Sequence, residues 1–294
     1  MSAGLSTAND APRAAGLDLP RQTMGAQLVL NLRTVVARSY VRLVGSFREP
    51  AWLIGDAVLP VLGMCAFVLL YRSLGAPPTY ETLAVLGGIL STYWLNVLWG
   101  MGAQLYWEKQ MGQLQLYFVA PCSRMAILTG MAVGGVIVTT LRTVAGIAVG
   151  FGLLGVRVQP FDLGQLLWVF VASMGALYAL GMTMASLFLL YGREAWHLNN
   201  ALQEPVYFFS GLYFPLRTLG AFGTVMAGLI PLGLGVDAMR QVLLGAAARG
   251  LLPVRIETAI LFGFTVLFLF LARWALAYLE GLSKREGRLT QRWQ

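Results

Sequence analysis

The chain has 294 residues, of which 57% are hydrophobic and only 12% charged, and its mean hydropathy is +0.69. A soluble domain averages about a quarter charged residues, so too little polar surface is present to cover a globule in water. The formal charge of +8, from 21 Lys and Arg against 13 Asp and Glu, sits beside apolar blocks without interleaved aromatics, which excludes a nucleic-acid surface and fits membrane-edge anchors.

Residues 1–24 are small, polar and punctuated by proline, without the apolar core of a secretory signal. They are expected to form a short disordered cytoplasmic tail. Over 25–49, Leu28, Leu32, Val35, Val36, Tyr40, Leu43 and Phe47 recur at spacings of three and four, opposite Gln27, Asn31, Thr34, Arg38, Arg42 and Arg48. That pattern predicts an amphipathic interfacial helix whose arginines, Arg33 included, meet the anionic cytoplasmic leaflet. A six-span transmembrane domain is expected over 50–280, because apolar blocks near the ~20 residues that one crossing needs fall at about 52–71, 83–106, 125–154, 164–191, 198–214 and 256–278. The chain is therefore read as an all-α integral membrane protein that closes on a basic cytoplasmic tail, 281–294.

Six spans put both termini on one side. With the N-terminus inside, the cytoplasmic segments hold 13 Lys and Arg and the outer segments 6, which places the termini in the cytoplasm. The segment 216–255 is apolar, yet seven glycines, Pro231 and Pro253 break it. It predicts re-entrant outer half-helices, a feature tolerated where backbone is buried in protein or lines a cavity.

Intramembrane charge is costly and marks function or helix locking. Arg142 in the third span shares its four-residue rows with Gly130, Gly134, Gly146 and Gly150, small residues that admit a neighbouring helix. Its expected partner is Glu204 of the fifth span, as an element of the pathway or as a helix lock. Asp56 is expected to meet interfacial arginines, and Arg273 to snorkel. Tyr93 and Trp94 lie deep enough in the second span to be candidate contacts for a lipophilic cargo. No catalytic set emerges. Cys65 and Cys122 sit apart, which argues against a disulfide or a metal site, and His197 is the single histidine. Neither Lys109 nor Lys284 belongs to a phosphate-binding loop, so ATP has to be hydrolysed by a partner.

The segment Glu108–Pro121, EKQMGQLQLYFVAP, resembles the cytoplasmic coupling segment of type-2 ATP-binding-cassette transporter permeases. Glu108, Gly112, Leu114, Val119, Pro121 and Arg124 match, whereas Gln113 and Gln115 stand where Thr and Glu are usual. A second stretch, SGLYFPLRTLG and then IPLGLGVDAMRQVLLG, is similar to the family's outer-face elements at Ser210, Gly211, Phe214, Pro215, Pro231, Asp237, Ala238 and Arg240, with Ile230 where Asn is common. The resemblance implies a permease subunit of an ATP-driven exporter in a prokaryotic inner membrane. It implies two copies of this chain among membrane lipid, and two cytoplasmic ATPase subunits that bind ATP and Mg. The segment 107–124, with Glu108, Gly112, Gln113, Leu114, Gln115, Phe118 and Pro121, would be the lever. Phe214, Pro215, Pro231, Asp237 and Arg240 would form the outer gate. The chief rival is an ion-coupled secondary transporter, which would need an internal repeat and midplane carboxylates, of which Glu204 is the one candidate.

Overall fold

The computed structural model describes residues 23–113, 116–117, 120–191, 194–245, 248 and 250–286, and these contain helices and no strand. Helix α1, Met24–Arg48, starts where the Thr23 hydroxyl accepts from the Ala26 amide. Helix α2, Pro50–Ser73, opens on proline, which lacks the amide that a first helical residue would leave unbonded. Helix α3, Pro78–Leu95, a π-helical turn, Asn96–Gly102, and α4, Gln104–Gln110, form one rod of 33 residues. Helix α5, Arg124–Ile147, also ends in a π-helical turn, Ala148–Leu153. Then come α6, Leu163–Tyr191, and α7, Glu194–Phe209. A 3-10 turn, Leu216–Leu219, leads to α8, Gly220–Leu229, and α9, Pro231–Leu244, and the last helix is α10, Val254–Glu286.

Five of these helices are long and apolar enough to cross a membrane: Leu53–Ser73, Pro78–Gln110, Arg124–Leu153, Leu163–Phe188 and Val254–Tyr278. The protein is an all-α integral membrane protein. The α8–α9 pair bends by 106° at Ile230 and brings the count to six if taken as one span. The fifth expected span differs from 198–214: α7 has 16 residues, about 24 Å at 1.5 Å per residue, short of the ~30 Å hydrocarbon core. Glu194, His197, Asn199, Asn200, Gln203 and Glu204 lower its hydropathy as well.

The α3–α4 rod is the centre of the bundle, with 78% of its apolar window buried against 17% for α2. Leu90, Tyr93, Trp94, Val97, Leu98 and Met101 of the rod meet Leu128 and Met131 of α5 and Leu177 of α6. Two adjacent glycines of the rod admit the turn after α7 and helix α2. A Cβ at Gly87 would collide with the Leu212 carbonyl, and one at Gly88 would lie 2.6 Å from Met64 Cβ. Helix α10 lies along α6, where Thr183 donates to the Phe268 carbonyl at 2.8 Å. The chain from α7 into the turn after it runs along the rod in the opposite direction, from Asn199, whose Nδ2 donates to the Leu98 carbonyl at 2.9 Å, to Leu212, which meets Gly87.

Helix α1 packs along the first half of α5. A Cβ at Gly130 would lie 2.7 Å from Arg38 Cβ, and one at Gly134 would lie 3.0 Å from Ser39 Cα. The small-residue stripe of the third span therefore seats α1, while Gly150 seats Val85 of α3. The orientation of α1 reverses one expectation. Leu28, Leu32, Val36, Tyr40 and Phe47 are exposed, and the polar face, with Asn31, Arg38, Ser39 and Arg42, is turned to the protein.

Candidate functional site

One end of the bundle is built around Glu108. The carboxylate is 3% exposed, forms an ion pair with Arg38 of α1 and accepts from Gln104 Nε2 at 3.0 Å. The Arg38 guanidinium lies over the Tyr117 ring, 5.3 Å from its centroid, within cation–π range. Burial first, and the Glu108 charge next, push the Tyr117 phenol well above its ordinary range. Nearby, Asn31 Oδ1 accepts from the Ser123 amide at 2.9 Å, and the Ser39 hydroxyl donates to the Gly130 carbonyl at 3.0 Å. These contacts brace α4 and the start of α5 against α1.

Helix α4 stops at Gly112. Its amide donates to the Lys109 carbonyl at 3.1 Å and the Gln113 amide to the Glu108 carbonyl at 2.9 Å, with Gly112 at φ 75°. This bond pair is a Schellman motif, whose left-handed residue is usually glycine. Met111 within this stop, and Gln113, Leu116 and Pro121 after Gly112, are exposed. Leu114, Gln115, Phe118 and Val119 lie outside the described residues. Glu108, expected at the docking surface, points into the bundle instead.

Along the rod, Arg42 reaches the π-helical turn, where a Cβ at Gly100 would lie 2.5 Å from its Nη2. Desolvation pushes its guanidinium down to about 10. Beside it Asn96 Oδ1 accepts from the Tyr178 hydroxyl at 3.0 Å.

Arg142 does not pair with Glu204. Its Nη1 donates to Asp56 Oδ2 at 2.8 Å, joining α5 to α2. Asp56 is thus the partner of a span residue and not of the interfacial arginines. Arg142 borders an apolar groove of about 570 Å³ lined by Phe47, Leu53, Val58, Leu62, Leu141 and Val149. Glu204 is exposed on α7 and accepts from Gln203 Nε2 at 3.2 Å. Tyr93 and Trp94 are each 1% exposed. Tyr93 shares a 2.9 Å hydrogen bond with Thr140 and packs edge-on to Phe170, so both rings are core residues of the chain and do not line this groove.

At the opposite end Arg240, 3% exposed, donates to the carbonyls of Gly211, of Leu212 at 2.9 Å and of Phe214 at 3.2 Å. It clamps the turn that follows α7, in which Gly211 has φ 57°. Asp237 Oδ2 accepts from the Leu251 amide at 2.6 Å, and Gln241 Nε2 bridges it to Glu257, at 3.3 and 3.0 Å. The Leu252 amide donates to Glu257 Oε1 at 3.1 Å. Pro231 is buried at the bend, and Phe214 and Pro215 are half-buried beside the clamped turn.

A family model described as ABC-2 type transporter matches residues 31–244, from within α1 to the end of α9. The chain belongs to the ABC-2 type transporter family. No curated protein matches it. This ABC-2 permease is thus a multi-pass membrane subunit of an ABC transporter, of a family that is generally not catalytic itself and that works with an ABC ATPase. The matched region holds the Arg38–Glu108 brace, the Gly112 stop and the Arg240 clamp, and leaves out α10. Among the described residues no three of His, Cys, Asp and Glu come together as metal ligands.

Several residues that build these sites carried a signal in the sequence. The Gly87-Gly88 doublet interrupts an apolar block, Asn96 sits inside the second span, and Glu257 falls one turn into the last. The Arg38–Glu108 contact joins positions 70 apart, and no local spacing announces it.

Proposed function

We propose that this permease moves a lipophilic or lipid-linked substrate out of the cytoplasm or inner leaflet, by alternating access in a dimer of two copies. Two cytoplasmic ATPase subunits, which bind ATP and Mg, supply the energy. Both termini then face the cytoplasm of a prokaryotic cell, and the coupling segment meets the ATPase. The observation that carries this reading is the braced end of α4. Met111 and Leu116 stand 66% and 69% exposed next to a helix fixed on its inner side by a buried ion pair. An apolar knob on a braced support suits docking, because exposed apolar surface marks a contact.

On this reading ATP binding draws the ATPase subunits together and moves the knob. The differential contact with the ATPase biases the permease, as any ligand-driven shift requires. The α3–α4 rod and α5 flank the segment directly, and α1 follows through Arg38. The π-helical turns at Asn96–Gly102 and Ala148–Leu153 are the places where these helices can bend, since such turns interrupt the regular hydrogen-bond ladder. The clamped turn at Arg240 and the bend at Pro231 form the exit gate.

The test is copurification of the chain with a cytoplasmic ABC ATPase, followed by transport in proteoliposomes. Substrate movement should need ATP and the ATPase. Transport by the chain alone, driven by an ion gradient without nucleotide, would overturn the reading in favour of a secondary transporter.

A further inference from the structure

The α7 surface carries a carboxylate at a depth where lipid does not tolerate one. Asn199 bonds the Leu98 carbonyl, and Leu98 lies twelve residues from Gln110, about 18 Å along the rod. Glu204 is five residues further along α7, which sets it about 25 Å from either end of the ~50 Å rod. There it is exposed, on a face of α7 shared with His197, Asn200, Ala201, Pro205 and Phe208. Among the described residues no cation pairs with it. Its carboxylate takes one hydrogen bond, from Gln203, and its charge bears on the phenols of Tyr207 and Tyr213. Phe208 leans on Phe209 and Phe214, with centroids at 5.3 and 5.7 Å.

A charged side chain at the middle of a bilayer faces protein or a water-filled cavity. This face of α7 therefore turns to the translocation pathway. Its field is negative, and the faces of aromatic rings attract cations. A phosphate-bearing lipid or a lipid-linked diphosphate would be repelled at the same place. We propose that Glu204, with Phe208 one turn further along α7, is a recognition site for lipophilic cations, and that the cargo of this permease belongs to that class. The inference rests on the reading of the chain as an exporter permease and names its substrate chemistry.

The probes are tetraphenylphosphonium and tetraphenylborate, which have nearly the same shape and opposite charge. Their binding is measured by equilibrium dialysis against the full chain in neutral-lipid nanodiscs, without nucleotide. The chain should bind the phosphonium saturably and not the borate. Glu204→Gln should weaken the phosphonium by about tenfold or more, the loss of one good charge contact, with an unchanged thermal melt, and Glu204→Asp should restore part of it. Equal binding of both ions, or a Glu204→Gln chain that binds the phosphonium like the parent, overturns the proposal. So does quantitative disulfide formation by Glu204→Cys in a background with Cys65 and Cys122 replaced by Ser, because this face of α7 would then be closed by a second copy. Phosphonium selectivity without ATP-dependent export would sink the exporter reading and leave this site standing. ATP-dependent export without selectivity would do the reverse.

Discussion

Removal of the Arg38–Glu108 pair tests whether α4 is braced against α1 as described. Glu108 is 3% exposed and the Arg38 side chain 18%. Taking away one member of a buried pair costs about 3–5 kcal/mol, because a charge is left in low dielectric. Here Gln104 still donates to Glu108 and Arg38 is partly solvated, so Arg38→Met should cost about 2–3 kcal/mol. Glu108→Gln should cost a similar amount. In the double variant neither charge remains, and its loss should fall short of the sum by about 1–3 kcal/mol. The assay is denaturant unfolding of the four chains in mixed micelles, followed by tryptophan fluorescence. If the single losses add to within about 0.5 kcal/mol, the range expected of independent sites, the brace does not exist. The same four chains in complex with the ATPase should separate hydrolysis from transport, with each single variant hydrolysing ATP at an undiminished rate and moving less substrate.

Substitutions at four further residues bear on other parts of the fold. Gly112→Ala meets no neighbour within 4 Å, so its cost is that of the left-handed backbone alone, about 1–2 kcal/mol; a small drop in melting temperature with a clear loss of coupled transport is expected. Gly87→Ala drives a methyl group into the Leu212 carbonyl, and the yield of monodisperse protein on size exclusion should collapse. Arg240→Met strips a donor from three carbonyls, at about 1–3 kcal/mol for each buried group left unmet; Arg240→Lys, a point charge without the fork, should recover only part of that loss in the same unfolding assay. Arg42→Met carries the opposite sign. Burial holds this guanidinium down to about 10, so its charged form is disfavoured in the folded protein at every pH below that value. Its removal should leave the melting temperature at pH 7 unchanged or higher, and a marked fall would show that Arg42 has a partner that repays its burial.

The architecture was legible because the bilayer imposes lengths. Blocks of apolar residues near twenty located α2, the α3–α4 rod, α5, α6 and α10, and glycine with proline located the α8–α9 bend at Pro231. The partner of Arg142 was not legible. Asp56 and Glu204 both fall in spans expected from the sequence, and which helix stands beside α5 is a tertiary fact set by how Gly134, Gly146 and Gly150 seat their neighbours. The placement of Tyr93 and Trp94 was hidden for a related reason. The second span is apolar all round, so its composition is the same whether it is wrapped by other helices or lines a cavity. The end of α7 was placed too far along the chain because its apolar second half, VYFFSGLYF, reads on past Phe209, whereas the Arg240 clamp holds residues 211–214 in a turn.

The orientation of α1 leads to the last prediction. Periodicity identifies two faces on a helix and says nothing about which one meets protein. In water the apolar face packs inward. Beside a bilayer the lipid takes the apolar face, and Asn31, Arg38 and Arg42 are left to make the contacts with α4 and α5. On the proposed reading a helix held in this way moves with the coupling segment, and it continues through Glu49 into α2, which opens on Pro50 with the Leu53 amide bonded to the Glu49 carbonyl at 3.1 Å. On the proposed reading the stroke therefore reaches α2 as well as the rod and α5. Insertion of two glycines between Arg48 and Glu49 would keep every contact of α1 and remove its stiff link to α2, since glycine-rich chain transmits no thrust. Copurification with the ATPase and ATP hydrolysis should survive the insertion, and proteoliposome transport should fall severalfold. Transport at the parental rate would show that α1 is only a collar on α5, and that the rod and α5 carry the stroke by themselves.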